Sequence, residues 1–356
     1  MYKIYKKDSK NKIRYLEINV EDDNLLQISG ILNTENPIVH SKKCTPKNVG
    51  KSNETTGQQQ AILEATSIYK DKLTQGYSET IDDVDTNEVI LPMLAKSFKD
   101  EKHKIDWSKD VVFVQPKFDG MRCLKDKTIL KSRKGKIISN MMHIQNELNY
   151  LDEILDGELY VHGEDFQTNM EYIKKYRPGN SETIKYHVYD IISDECFEVR
   201  HIILKAIVKD CKHIIFVDTY KINSEKELIQ YHEKFLNEGY EGTMVRISKN
   251  GYKANGRSSE LLKYKDFKDI DLPILDVLPC KVETEWGEPI YEWIGAKGHR
   301  SGDNRLGSGT KMSHEARKDL LLNKHLYIGK IATVRYFELS NTGVPRFPVT
   351  VGIRLD

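Results

Sequence analysis

The sequence predicts an α+β protein of several domains, on three observations. Short alternating apolar runs and one amphipathic stretch fill residues 1–80. Strand-like and helix-like segments are interleaved over 89–267. Residues 268–356 are strand-like and glycine-rich, with a single helical pattern. A chain of 356 residues has room for two or three domains.

In the first region, "KIRYLEINV" and "NLLQISGIL" alternate as hairpin strands do. The stretch "QQQAILEATSIYKDKLTQG" predicts a helix with Ile62, Ala65, Tyr69 and Leu73 on one stripe and Gly76 as its stop. The acidic, patternless "ETIDDVDTNE" predicts a linker over 81–88. In the last region "SHEARKDLLLN" predicts a helix capped by Ser313. No internal repeat or low-complexity tract is found.

Composition narrows the function classes. Apolar residues make up 38% and charged residues 31%, as in a soluble globular protein. Net charge is +1, so nucleic-acid binding has no overall basic signature, although balanced charge can still segregate onto faces. No run of 18 apolar residues is present, which argues against a membrane partner. "MYKIYKKDSKNK" lacks the apolar core of a secretory signal. Five scattered cysteines without a C-x-x-C pair argue against structural zinc and disulfides, and fit a reducing cytoplasm.

The chemistry starts at "VQPKFDGMRC", residues 114–123. "DVVFVQP" reads as a strand stopped by Pro116, and Asp119-Gly120 as a hairpin turn. Lys117 is then either a solvated strand end or a partly desolvated nucleophile, since burial favours the neutral amine. Further blocks place charges where buried strands normally avoid them: Arg133 in "SRKGKII", Glu158 in "EILDGELYV", Tyr189-Asp190 in "KYHVYDII" and Glu241 in "GYEGTMVRI". In "ELLKYKDF", Lys263 and Lys265 share one strand face. Singly, the glutamates read as edge-strand charges, Tyr189 as core, the two lysines as a solvated face and Arg133 as a turn residue. Together they suit a nucleophilic Lys attacking a nucleoside triphosphate: cations neutralise phosphates, and carboxylates hold Mg²⁺ or a ribose.

In this order the blocks resemble the ATP-dependent DNA ligases of the covalent nucleotidyltransferase superfamily. The family's K-x-D-G-x-R motif is "KFDGMR" here, followed by "SRKG", "DGELY", "VYDII", "EGTMVR" and "LLKYK". The resemblance spans roughly residues 90–356. It implies an adenylation domain over 89–267, with ATP-grasp-like antiparallel sheets and helices, and a C-terminal OB-fold barrel over 268–356. It makes Lys117 the adenylated residue. Gln115 would read the adenine edge, where many ligases carry Glu. Arg122 and Glu158 would hold ribose and phosphate, and Tyr189 would stack on adenine. Arg133 would contact the 5′-phosphate of the nick. Glu241, with Glu158, would bind metal. Lys263 and Lys265 would grip the α-phosphate and, as like charges, lower the pKa of Lys117. Arg346 and Arg354, in "PRFP…GIRLD", would orient pyrophosphate; the family pattern continues to a Lys after the position of Asp356.

"KNVGKSNETTGQQQAILEATSIYKDKLTQGY" is similar to a WGR domain, a small DNA-end-binding module, with Val49-Gly50-Lys51 at the signature position. Lys42, Lys43, Lys47 and Lys51 would contact DNA phosphates. The alternative is a charged solvated face on a small α+β domain. The expected whole is a monomeric cytoplasmic enzyme of bacterial or phage-infected cells. It would use ATP with Mg²⁺ or Mn²⁺ to seal 5′-phosphate/3′-OH nicks in double-stranded DNA. An RNA ligase or capping-type nucleotidyltransferase is the alternative within the superfamily, and a catalytically silent DNA-binding module the alternative outside it.

Overall fold

The computed structural model describes residues 2–8, 11–85, 89–208, 211–280, 285–293, 305–340 and 343–354. They divide into two compact units, Met1–Lys265 and Asp266–Asp356.

The first unit opens with an antiparallel meander: β1 (Tyr2–Lys7), β2 (Ile13–Glu21), β3 (Asn24–Ile31) and β4 (Ile38–Lys43), paired in that order. Helix α1 (Gly57–Leu73) packs on β2 and β3. Thr56 and Gln59 cap it reciprocally, each side chain taking the other's backbone N–H. Of the expected stripe Ala65, Tyr69 and Leu73 pack on the sheet, and only Ile62 departs. Ala61 and Ala65 meet Leu16, Ile18 and Leu25, whereas Ile62 stands 51% exposed. Two alanines one turn apart let the helix lie close to the sheet, and that rotates the larger Ile62 outward. In the expected linker, Asp82–Asp85 forms a short 3₁₀ turn, and 86–88 lie outside the described residues.

The remainder of this unit holds two five-stranded sheets. One, in the order β12-β6-β13-β14-β5, contains β5 (Leu94–Ser97), β6 (Val112–Lys117), β12 (Tyr220–Ile222), β13 (Gly242–Ile247) and β14 (Arg257–Tyr264). The other, β11-β10-β9-β7-β8, contains β7 (Met121–Asp126), β8 (Ile129–Ser132), β9 (Leu155–Tyr160), β10 (Lys185–Ile191) and β11 (Ile214–Phe216). Each sheet has its own apolar core: Val112, Val114, Val245 and Leu262 under the first, and Cys123, Leu155, Leu159, Tyr186 and Val188 under the second.

Two expectations around Lys117 change. Pro116 lies inside β6 rather than ending it. Strand β12 pairs only with Val112–Val114, so β6 has a free side at Pro116 and its missing N–H is tolerated. Asp119-Gly120 is not a hairpin turn, because β6 and β7 belong to different sheets. The chain crosses between sheets at Lys117–Gly120. Gly120 is required there, since a Cβ would stand 2.4 Å from the Leu159 carbonyl oxygen.

The second unit is a six-stranded sheet ordered β17-β16-β15-β19-β20-β18. Its strands are β15 (Lys268–Pro279), β16 (Gly287–Glu292), β17 (Arg305–Gly307), β18 (Gly309–Thr310), β19 (Ile331–Tyr336) and β20 (Val349–Ile353). The helix His314–Leu322 starts on Ser313, whose hydroxyl accepts the Ala316 N–H at 3.3 Å. Ile274, Val277, Tyr291, Leu320 and Val334 form the core.

Candidate active site

Strands β6, β13 and β14 run side by side, and their neighbouring ends assemble the first part of the site. Lys117 ends β6, paired with Gly242 on β13, and the Glu241 N–H donates to the Lys117 carbonyl at 2.9 Å. Lys265 follows β14, whose Tyr264 pairs with Thr243. The Lys117 and Lys265 ammonium groups both donate to the Glu241 carboxylate, one to each oxygen. Burial would raise the Glu241 carboxyl, but the two ammonium charges hold it below the usual carboxylate range. Phe118, edge-on to Tyr160 and Tyr240, pins the backbone just after Lys117.

The second sheet supplies the opposite wall. Arg122 grips Asp156 with two hydrogen bonds of 3.0 and 2.5 Å. The Tyr252 hydroxyl donates to the same carboxylate at 2.6 Å. Strand register sets Glu158 directly across from Arg122. Burial pushes the Glu158 carboxyl up to about 8, against the pull of Lys117 and Arg122. Tyr189 is the extra residue of a β-bulge, because β10 pairs Val188 with Gly157 and Asp190 with Asp156. The bulge turns its ring into the cavity, where the Arg246 and Arg122 guanidinium groups lie 5.4 and 5.8 Å from the ring centre. Its hydroxyl donates to the Gly157 carbonyl at 3.2 Å.

Between these walls lies a cavity of about 270 Å³. Pro116, Met244, Leu94 and Leu261 give it apolar sides. Its charged lining is Lys117, Arg122, Arg133, Arg246, Arg257, Lys263 and Lys265, seven cations, against the single carboxylate Glu158. Such an excess calls for a polyanion, and the apolar sides for a flat ring beside it. The crowding is visible in the groups themselves. Burial lowers the basicity of Lys263, and Lys265, Lys117, Arg257 and Arg133 lower it further. Burial, Arg122 and Arg257 do the same to Arg133. Lys263 thus feels its like-charged neighbours, while the direct partner of Lys117 is the Glu241 carboxylate.

Gln115 lines the cavity with its amide held by three partners. Its N–H groups donate to the Thr219 hydroxyl at 2.8 Å and the Tyr189 carbonyl at 3.2 Å. Its oxygen accepts from Arg246 at 2.9 Å. Arg246 and Arg200 in turn both bind Asp190, and all three are buried. What Gln115 retains toward a ligand is a lone pair on that oxygen.

Eight of the expected residues, Lys117, Gln115, Arg122, Arg133, Glu158, Tyr189, Lys263 and Lys265, line this cavity. Arg246, Arg257, Asp156 and Thr219 are not singled out by the sequence, and Asp190 is noted there only as a charge inside an apolar strand, without a role. Arg257 had a legible signal, since it lies an even number of positions before Lys263 on one strand. Arg346 and Arg354 belong to the second unit, where they pair with Glu338 and Asp271. Asp356 lies outside the described residues. Lys42 and Lys47 both bind Glu64, at 2.5 and 3.2 Å, and Lys43 lies 3.4 Å from Asp23. Lys51 makes no side-chain ion pair among the described residues and is exposed.

Among the described residues no cluster of three or more His, Cys, Asp or Glu side chains forms a metal site. Mg²⁺ characteristically takes one or two protein carboxylates and completes its shell with substrate phosphates and water. Glu158 lines the cationic cavity and Glu241 binds Lys117 and Lys265 of its lining, so the number of carboxylates fits that requirement.

Comparison with known proteins agrees with this geometry. Residues 92–265 match the ATP-dependent DNA ligase domain, and residues 295–354 the DNA ligase OB-like domain. The DNA ligase of African swine fever virus is 28% identical over 339 residues, covering 86% of this chain and 78% of the viral protein. That of Haemophilus influenzae is 25% identical over 235 residues, covering 65% of this chain and 82% of its own. A solved Lig E DNA ligase superposes with a TM-score of 0.59 at 21% identity, over 75% of this chain and all of the other, and so shares the fold. The chain belongs to the family of ATP-dependent DNA ligases, which use ATP and a divalent metal. No described helix is long and apolar enough to cross a membrane.

Proposed function

We propose that this DNA ligase seals 5′-phosphate/3′-OH nicks in duplex DNA, as a monomer, with Lys117 as its nucleophile. The observation that carries the assignment is the convergence of seven cations on the cavity that Lys117 borders, more than Glu158, Glu241, Asp156 and Asp190 together can neutralise. The Lys117 amine attacks the α-phosphate of ATP. A nitrogen–phosphorus bond forms, the α–β phosphoanhydride bond breaks, and pyrophosphate leaves. The 5′-phosphate oxygen of the nick then takes AMP from Lys117, and the 3′-hydroxyl finally displaces AMP as the new phosphodiester forms. Each step is phosphoryl transfer, in which positioning and charge neutralisation supply most of the acceleration.

Lys263 and Lys265 grip the α-phosphate, Arg122 and Glu158 orient ribose and phosphate, and Tyr189 stacks on the base. Gln115, locked by Arg246 and Thr219, offers an acceptor, which suits the exocyclic amine of adenine and not the carbonyl of guanine. Arg133 takes the 5′-phosphate of the nick. Glu158 and Glu241 hold the divalent metal, which supplies further neutralisation of phosphate charge. Arg346 assists pyrophosphate departure. Residues 1–80 form a WGR-like DNA-contacting domain, 81–88 a linker, 89–267 the adenylation domain and 268–356 the OB-fold domain; the site of action is the cytoplasm of a bacterial or phage-infected cell.

The test is incubation with α-labelled ATP, and separately GTP, without DNA. The wild type should become labelled from ATP only, and Lys117→Ala from neither. Labelling of Lys117→Ala at the normal rate would remove the assignment.

A further inference from the structure

The loop that carries Arg133 is held from behind by the N-terminal helix. Ser132–Lys136 is a tight loop closed by Gly135 N–H to Ser132 O at 2.8 Å and Ser132 N–H to Lys136 O at 2.7 Å. On one side it sends Arg133 to the cavity. On the other it rests on the C-terminal end of α1. There Lys136 Nζ lies 2.6 Å from Asp71 Oδ1. The Thr74 hydroxyl approaches the Lys134 carbonyl at 3.5 Å. Gly135, at φ +80°, passes so near the Thr74 carbonyl that a Cβ would stand 2.4 Å from its oxygen.

The same contact also contains a repulsion. The basicity of Lys72 is lowered by burial first and then by Lys134, while Asp71 acts in the opposite sense. Backbone-close packing and one attractive pair therefore hold together a surface that otherwise presents Lys72 on one side and Lys134 and Lys136 on the other. The loop carries three long cationic side chains, Arg133, Lys134 and Lys136, and its docking on α1 adds to its own hydrogen bonds in fixing its geometry.

We propose that α1 is a positioning element for Arg133: Asp71 and Thr74, docked on the Ser132–Lys136 loop, set where the guanidinium stands when the nick's 5′-phosphate arrives. The inference rests on the reading of Arg133 as the nick-phosphate contact. It gives residues 1–80 a role in the second chemical step that differs from contacting DNA with their own lysines. Small displacements of a positioning group cost large factors in rate, so the effect belongs on AMP transfer more than on DNA affinity.

The test uses full-length protein already adenylated on Lys117, and single-turnover AMP transfer to a 5′-phosphate nick. Asp71→Lys should slow transfer about fivefold or more, while lysyl-adenylate formation from ATP stays within about twofold. The exchange Asp71→Lys with Lys136→Asp should restore transfer. In an Arg133→Ala background, Asp71→Lys should add no further loss, because its effect runs through Arg133. Full additivity in that background, or an unaffected Asp71→Lys beside a slowed Arg133→Ala, overturns the coupling. Normal transfer by Arg133→Ala alone overturns instead the reading of Arg133 on which the coupling rests.

Discussion

The lysines of the N-terminal region and those of the cavity look alike in the sequence and behave oppositely in the fold. Lys42 and Lys47 share Glu64, Lys43 faces Asp23 and Lys3 faces Glu17. In the cavity, seven cations line one space, and Glu241, Asp156 and Asp190 behind it pair with four of them, Lys117, Lys265, Arg122 and Arg246. The acids report the same contrast. Burial would raise the Glu64 carboxyl, but Lys42, Gln60 and Lys47 hold it down to about 2. Glu158, buried beside Asp156 and Glu241, is pushed up to about 8. Matched charge is a structural surface. Cations in excess of their carboxylates, held together by the strands beneath them, are a site prepared for a ligand that brings the missing charge.

The largest expected effect sharpens the cavity side of this contrast. Lys263→Ala should slow adenylation about 100-fold, the usual loss when one donor to a developing phosphate charge is removed. The pH profile tests the electrostatics directly. Lys263 loses its proton below the ordinary lysine value, so its grip on phosphate is present at neutral pH and fades as pH rises through that lowered value. The alkaline limb of the adenylation rate should therefore move to higher pH in Lys263→Arg, whose guanidinium stays charged. An alkaline limb that is the same in both proteins would show that the charge of Lys263 does not act in this step.

A middle-sized effect separates the two carboxylates by sign. The raised Glu158 keeps its proton in the folded protein after the unfolded chain has released it, so its contribution to stability falls as pH rises from about 4.5 to about 8. The lowered Glu64 contributes stability that is complete above about 4.5 and lost as pH falls toward about 2. At pH 8 Glu158→Gln should thus raise the melting temperature by about 2 °C or more, and Glu64→Gln should lower it by a similar amount. Thermal melts of both variants at pH 8 and pH 5 decide the matter. A destabilised Glu158→Gln would mean that the carboxylate is satisfied in the folded protein and is not poised for a metal or a ribose.

Much of the site was legible because its motifs are local. The spacing K-x-D-G-x-R fixes Lys117 and Arg122 on either side of one strand crossing, and the two-residue period of β14 joins Lys263 with Lys265. What was hidden depends on partners far along the chain. Arg246 and Asp190 sit in alternating strands, where a charge ordinarily faces water; that they bind each other behind Gln115 follows only from the meeting of the two sheets. Pro116 reads as a strand end unless it is known that β12 stops two residues earlier. Ile62 reads as core unless the two alanines beside it are seen to be the contact. The pairing of Lys42 and Lys47 with Glu64 joins residues 22 and 17 positions apart, and no local pattern announces it.

The smallest expected effect tests whether the N-terminal lysines are as quiet as their pairing suggests. Exposed ion pairs contribute about 0–1 kcal/mol, so Lys42, Lys43 and Lys47 could leave their carboxylates for a DNA phosphate at little loss. Each phosphate neutralised would add about one unit to the slope of log affinity against log salt. Replacing Lys42, Lys43, Lys47 and Lys51 together with Ala should then make that slope shallower by about one to three units, with a modest loss of nick affinity at low salt. Glu64 and Asp23 remain in the variant and lose their partners, so a Glu64→Gln control is needed to isolate the phosphate contribution. A slope identical to wild type across a salt series would mean that these lysines stay with Glu64 and Asp23 when DNA is bound. The N-terminal region would then act on the nick only through the loop it holds, and a DNA-binding function for its own surface would be excluded at these four positions.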